Sequence, residues 1–149
     1  MIRSASVVFA LVVGVSGVVA QSSDPVAARN ELMKAQGAQL YGVINGMIRG
    51  QAPYDQARVD AAFVILERTA KESTPLYAVN SVQPAPNSQF RPSPKIWETK
   101  KDFDDRFVDL IKVLGEQKSK AKSLEDLRGV FTAVNKVCTD CHEGYRVRN

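Results

Sequence analysis

Apolar side chains recur every three or four residues along four stretches of this chain, the spacing that lines one face of an α-helix. The first helix should open at Asp24, a good N-cap, with Pro25 in the first helical position, where a missing N–H costs nothing. Its inward stripe is Val26, Arg29, Met33, Gly37, Leu40, Ile44 and Met47, and it should run to Ile48, ending near Gly50 because Pro53 forbids simple continuation. A second helix is predicted from Asp55 as N-cap to about Lys71, burying Val59, Ala62, Phe63, Leu66 and Ala70. The third should begin around Pro94 and Lys95 and turn Ile96, Phe103, Phe107, Leu110, Ile111 and Leu114 inward, ending by Gly115 or shortly after. The fourth opens at Ser123 with Asp126 three residues on, a capping-box variant, and runs nearly to the end. Along it Leu124, Leu127, Phe131, Val134, Cys138, Cys141 and Tyr145 alternate at three and four residues, forming a heptad seam.

Between Glu72 and Lys95 the period is lost among Pro75, Pro84, Pro86, Pro92 and Pro94, which predicts a long irregular connection packed over the core. No strand alternation is present. The economical architecture is all-α, an antiparallel four-helix bundle with the proline-rich stretch as the long connection between helices two and three. Gly37, Gly42 and Gly46 inside the first helix each cost about 1 kcal/mol relative to alanine and so point to close approach of a neighbouring helix or a bound group.

Residues 1–20 read as a cleaved signal peptide: Met1-Ile2-Arg3 is positive, Val7 to Val15 is apolar apart from Gly14, and Val18-Val19-Ala20 suits a cleavage site. The apolar run is short of the roughly 20 residues a bilayer span needs, so the mature chain should be exported to the periplasm without a membrane anchor. Removing 20 of 149 residues leaves 129, residues 21–149, enough for one bundle domain. The full chain carries 20 Lys and Arg against 16 Asp and Glu, interspersed throughout, which is no nucleic-acid signature.

The chemistry sits at Cys138-Thr139-Asp140-Cys141-His142, which holds both cysteines and the one histidine of the chain. This spacing matches the attachment signature of a c-type haem, in which the thiols add to vinyl groups and the imidazole binds iron. A disulfide here would close a very small loop and staple little. Structural zinc wants four nitrogen or sulfur ligands, more than the chain owns. A thioredoxin-like pair belongs near a βαβ pattern, which is absent. At about 100° per residue, and with Cys138 at zero, Cys141 falls near −60°, Tyr145 near −20° and His142 near +40°. The attachment residues therefore share the buried arc of the last helix, and the haem should sit inside the bundle. Gly37, one turn beyond Met33, would leave room there for a porphyrin.

Together with Gly50-Gln51-Ala52-Pro53-Tyr54-Asp55, Pro94-Lys95-Ile96-Trp97 and Tyr145-Arg146, this motif makes the chain resemble the class II c-type cytochromes, the cytochrome c' family. The resemblance implies one covalent haem c per chain in a four-helix bundle, held by Cys138 and Cys141, with His142 as proximal iron ligand. It implies a first-helix side chain on the other side of iron. Position alone leaves Met33 as core packing or as a soft thioether ligand. Leu32-Met33-Lys34 followed by Gly37 resembles the low-spin branch that includes proteins named cytochrome c-556, which makes Met33 the distal ligand. Arg29 and Arg146 match positions where the family places basic residues near haem propionates, and Trp97 and Phe103 are candidates for packing around the haem.

The function so implied is that of a periplasmic electron carrier rather than an enzyme, meeting redox partner proteins by transient contact. The alternative within the family is a five-coordinate, high-spin protein that binds nitric oxide or carbon monoxide. Monomer and homodimer both remain open.

Overall fold

A computed structural model describes residues 24–149, so the signal-peptide reading of residues 1–20 lies outside the described residues. The Asp24 carboxylate accepts from the Val26 N–H at 2.9 Å and starts α1 (Pro25–Gly37) with Pro25 in its first turn, as the sequence predicts. The rod continues to residue 48, but through a π-helical segment, Ala38–Ile44, before α2 (Asn45–Ile48). There the Asn45 N–H reaches back five residues to the Leu40 carbonyl. Gly50 closes the rod at φ +72°, while its N–H bonds the Met47 carbonyl and the Gln51 N–H bonds the Gly46 carbonyl. That is a Schellman cap, which needs a left-handed residue at this point.

Helix α3 (Gln56–Ser73) is capped by Asp55, whose carboxylate accepts from the Arg58 N–H at 3.1 Å. A 3₁₀ turn, Thr74–Tyr77, leads into the proline-rich connection. The third predicted helix is broken. Helix α4 (Lys95–Glu98) stops where Thr99 leaves the helical region at φ −124°, ψ 53°, and α5 (Lys100–Lys118) follows. The Thr99 hydroxyl donates to the Lys95 carbonyl at 3.0 Å, satisfying the end of α4.

Helix α6 (Leu124–Tyr145) starts at Ser123, whose hydroxyl oxygen accepts from the Asp126 N–H at 3.2 Å. The Asp126 carboxylate accepts from the Ser123 hydroxyl at 2.7 Å and from the Lys122 N–H at 3.3 Å, closing the box onto the residue before the N-cap. Leu124 departs from the predicted seam and is 41% exposed, whereas Val130 is buried. A side chain in the first turn leans beyond the helix start, past the layer it would fill.

The predicted absence of strands needs one correction. Phe90–Pro92 (β1) pairs antiparallel with Arg146–Arg148 (β2), with Phe90 opposite Arg148 and Pro92 opposite Arg146. Three residues are too few for alternation to register in a sequence, and Pro92 argues against a strand except at an edge.

Helix α5 packs on α6 and on α3, α1 packs on α3, and α2 packs on α6. Ile44, Met47, Val59, Ala62, Phe63, Leu114, Leu127, Val130 and Val134 are each at most 2% exposed and fill one end of the bundle. The opposite end gathers the start of α1, the end of α3, the start of α5 and the end of α6 around a cavity. Among the described residues no helix is long and apolar enough to cross a membrane.

Candidate functional site

The last turns of α6 carry Cys138, Cys141 and His142, all half-buried, and all three line the cavity. Its volume is about 720 Å³, within the range of roughly 300–1,000 Å³ typical of cofactor pockets. From α1 the wall is built by Met33 and Gly37, so a single helical face brings the predicted distal residue to the same space as the attachment motif. Met47, the other methionine of the bundle, is 1% exposed in the closed end and does not reach the cavity.

Cys138 and Cys141 carry free thiols. Burial, with the neighbouring Cys141 adding to it, pushes the Cys138 thiol up to about 11, and burial raises Cys141 as well. Both thiols are therefore protonated near neutral pH, the opposite of the lowered pKa that marks a nucleophilic redox cysteine. Burial, helped by the Arg146 charge, pushes His142 down to about 4. Its imidazole stays neutral, with a lone pair available to a metal. Among the described residues no group of three or more His, Cys, Asp and Glu side chains could hold a metal by itself.

Gly37 resolves one question raised by the sequence. A Cβ built there would meet nothing within 4 Å, so the glycine borders open cavity rather than a closely packed helix. Gly42 likewise touches nothing, and Gly46 would meet only the Gln51 Oε1 at 3.6 Å. The close approach of helices expected from these glycines is not what the bundle uses them for.

Arg29 lines the cavity and is 4% exposed, but its guanidinium turns to the connection. Nε and Nη2 donate to the Leu76 carbonyl at 3.0 and 2.7 Å, Nη2 donates to Val79 at 2.8 Å, and Nη1 donates to Ser81 at 3.0 Å. These partners differ from the propionate that the family resemblance implies, and they leave one Nη1 N–H over. Arg146 also lines the cavity, exposed, with its guanidinium 4.2 Å from the Phe90 ring centroid. Trp97 is half-buried beside Arg29, and Phe103 is buried in the cavity wall.

Two further residues stand in the wall: Tyr77, expected with Leu76, Val79 and Phe90 of the connection to pack over the core, and Gln36, which escaped the sequence reading. Tyr77 is buried in the connection, and burial pushes its phenol up to about 12, so it remains neutral. Gln36 points a buried amide nitrogen, Nε2, that has no hydrogen-bond partner, and its residue lines the cavity. Gln36 lies three residues after Met33 and four before Leu40, on the same face of α1, where a single polar side chain among apolar ones gives no signal of its own. A buried donor left unpaired suits a bound group with acceptor atoms. Two thiols, a neutral imidazole, an apolar wall and an orphaned donor together fit a flat apolar group with acidic substituents, as haem is.

A family model described as cytochrome c' matches residues 24–146 of the chain. Cytochrome c-555 of Bradyrhizobium diazoefficiens is 37% identical over 148 residues, 99% of either chain. Cytochrome c-556 of Rhodopseudomonas palustris is 36% identical over 148 residues, 98% of this chain and 97% of that protein. The NMR-validated structural model of oxidized R. palustris cytochrome c556 matches with a TM-score of 0.73 at 33% identity, over 85% of this chain and 98% of the other.

Proposed function

The chain belongs to the cytochrome c' family, and from that membership we propose that it is a periplasmic electron carrier with a low-spin, His/Met-ligated haem. The family cofactor is covalent haem c, which supplies a one-electron change between ferric and ferrous iron. In this proposal Cys138 and Cys141 form the thioethers, His142 is the proximal ligand and Met33 the distal one. The observation that carries it is the convergence of Met33 from α1 and Cys138, Cys141 and His142 from α6 on one cavity.

Each side chain has a physical part to play. Burial keeps the His142 imidazole neutral, the form that ligates iron. Met33 offers a soft sulfur, and the pairing of His with Met raises a haem potential relative to stronger donors. Apolar walls from Leu66, Phe103 and Phe107 exclude water, which further favours the less charged, reduced state. Gln36 and Arg146 supply donors for the propionates, with the remaining Arg29 N–H as a third. No residue is assigned a catalytic role. Partners are redox proteins met transiently, and the working chain is the domain from residue 21 to 149.

The alternative, an open sixth position that takes up nitric oxide or carbon monoxide, would need the wall opposite α6 to lack a ligating side chain. Met33 in that wall supports the six-coordinate reading instead. The spin state of the ferric protein tests it: low-spin iron that becomes high-spin in Met33→Ala is expected. High-spin ferric iron in the unaltered protein, with rapid carbon monoxide binding once it is reduced, would overturn the assignment.

A further inference from the structure

Burying a guanidinium is unfavourable unless its donors are met. Arg29 meets them with backbone carbonyls at residues 76, 79 and 81, all in one short stretch of the connection. The carbonyl between them is held too: the Trp97 indole N–H donates to the Tyr77 carbonyl at 3.0 Å. Arg29 also lies over the Tyr77 ring, 4.5 Å from its centroid. This stretch is therefore fastened from α1 on one side and α4 on the other.

The fastening reaches both faces of the cavity. The Tyr77 ring meets Phe103 edge-on at 4.7 Å, and Phe103 meets Tyr145 edge-on at 5.1 Å. Tyr145 stands one turn beyond His142, and Arg29 stands one turn before Met33. Helix α1 packs against α3 and the 3₁₀ turn, while the π-helical segment and α2 that continue its rod pack directly on α6, with Tyr41 edge-on to Phe131 at 5.8 Å. Around Met33 itself the span to His142 is bridged by the connection, and Arg29 joins the two.

We propose that Arg29 is a positioning residue: by fastening residues 76–81 to α1, it fixes where Met33 stands relative to His142 and so keeps the sixth coordination position closed. The inference rests on the reading of Met33 as distal ligand. Arginine is required because a planar fork can serve several carbonyls at once, whereas a lysine ammonium is a point donor on a flexible stem.

The test is made on the haem-loaded protein with Arg29→Lys, Arg29→Gln, Trp97→Phe and Met33→Ala, reading the spin state of the ferric protein and, after reduction with dithionite, the rate of carbon monoxide uptake by the ferrous protein. Met33→Ala should be high-spin. Both Arg29 variants should gain a high-spin fraction and take up the gas roughly tenfold faster or more, because it binds only the molecules whose sixth position is open. Trp97→Phe should move the same way by less. Arg29→Lys keeps the positive charge, so its failure to restore the unaltered spectrum separates positioning from charge, and a role in stability alone would lower the melting temperature without moving the spin state.

Low-spin iron with unaltered gas uptake in both Arg29 variants, alongside high-spin Met33→Ala, would overturn the inference while leaving the distal ligand in place. An unchanged spectrum in Met33→Ala would overturn the distal-ligand reading and this inference with it. Should the Arg29 variants fail to accumulate, Trp97→Phe decides, and a spin state identical to the unaltered protein would count against the proposal.

Discussion

The two ends of the bundle are built from the same helical period and come out differently. At the closed end, Phe63, Ile44, Leu114 and Leu127 fill the space between helices and are fully buried. At the open end the same stripes continue as Met33 and Gly37 on α1 and Cys138 and Cys141 on α6, which are half-buried around about 720 Å³. An amphipathic period says only which face turns inward. Side-chain volume and chemistry at those positions decide whether the inside is core or site, since a close-packed interior tolerates few voids.

This contrast can be broken at either end. The largest effect is expected for Cys138→Ala combined with Cys141→Ala: periplasmically expressed protein should lose haem staining on a denaturing gel completely, and residual covalent haem would contradict the assignment of the thioethers. Next comes the closed end. Phe63→Ala removes a 0% exposed ring and should destabilise the protein by about 3–5 kcal/mol, read as a shift in the denaturant midpoint.

Gly37→Ala probes the other end. In a chain without attached haem, its Cβ meets nothing within 4 Å, so the better helix propensity should stabilise by up to about 1 kcal/mol. A loss of stability would mean that the α1 wall is packed rather than open. Smallest of all, Lys136→Ala breaks an exposed i,i+4 pair with Asp140 and should change stability by less than about 0.5 kcal/mol at either salt extreme. Its melting curve serves as the baseline for the rest.

Much of this was legible because its causes are local. Asp24, Asp55 and Ser123 cap their helices through bonds to residues two or three positions away, and a motif of five residues, 138–142, brings cysteines and histidine onto one turn of α6. What could not be read depends on distant partners or on too few residues. Arg29 takes carbonyls some 50 residues away, partners that no local pattern in the sequence marks. The pairing of β1 with β2 joins two three-residue segments from far apart in the chain, below the length at which alternation carries information. The break at Thr99 and the π-helical turn around Leu40 leave the apolar stripe intact on either side, so the period shows no interruption. Gln36 shares the face of Met33 and Leu40 and was missed because one polar side chain on an apolar stripe carries no signal until the fold brings it to the cavity wall.

The central claim is that the open end is a haem site closed on its far side by Met33. Electron paramagnetic resonance of the ferric protein, with and without Met33→Ala, tests it most directly. The account predicts a low-spin signal in the unaltered protein that converts to high-spin in the variant. A high-spin signal in both would contradict it and leave the cavity as a gas-binding pocket.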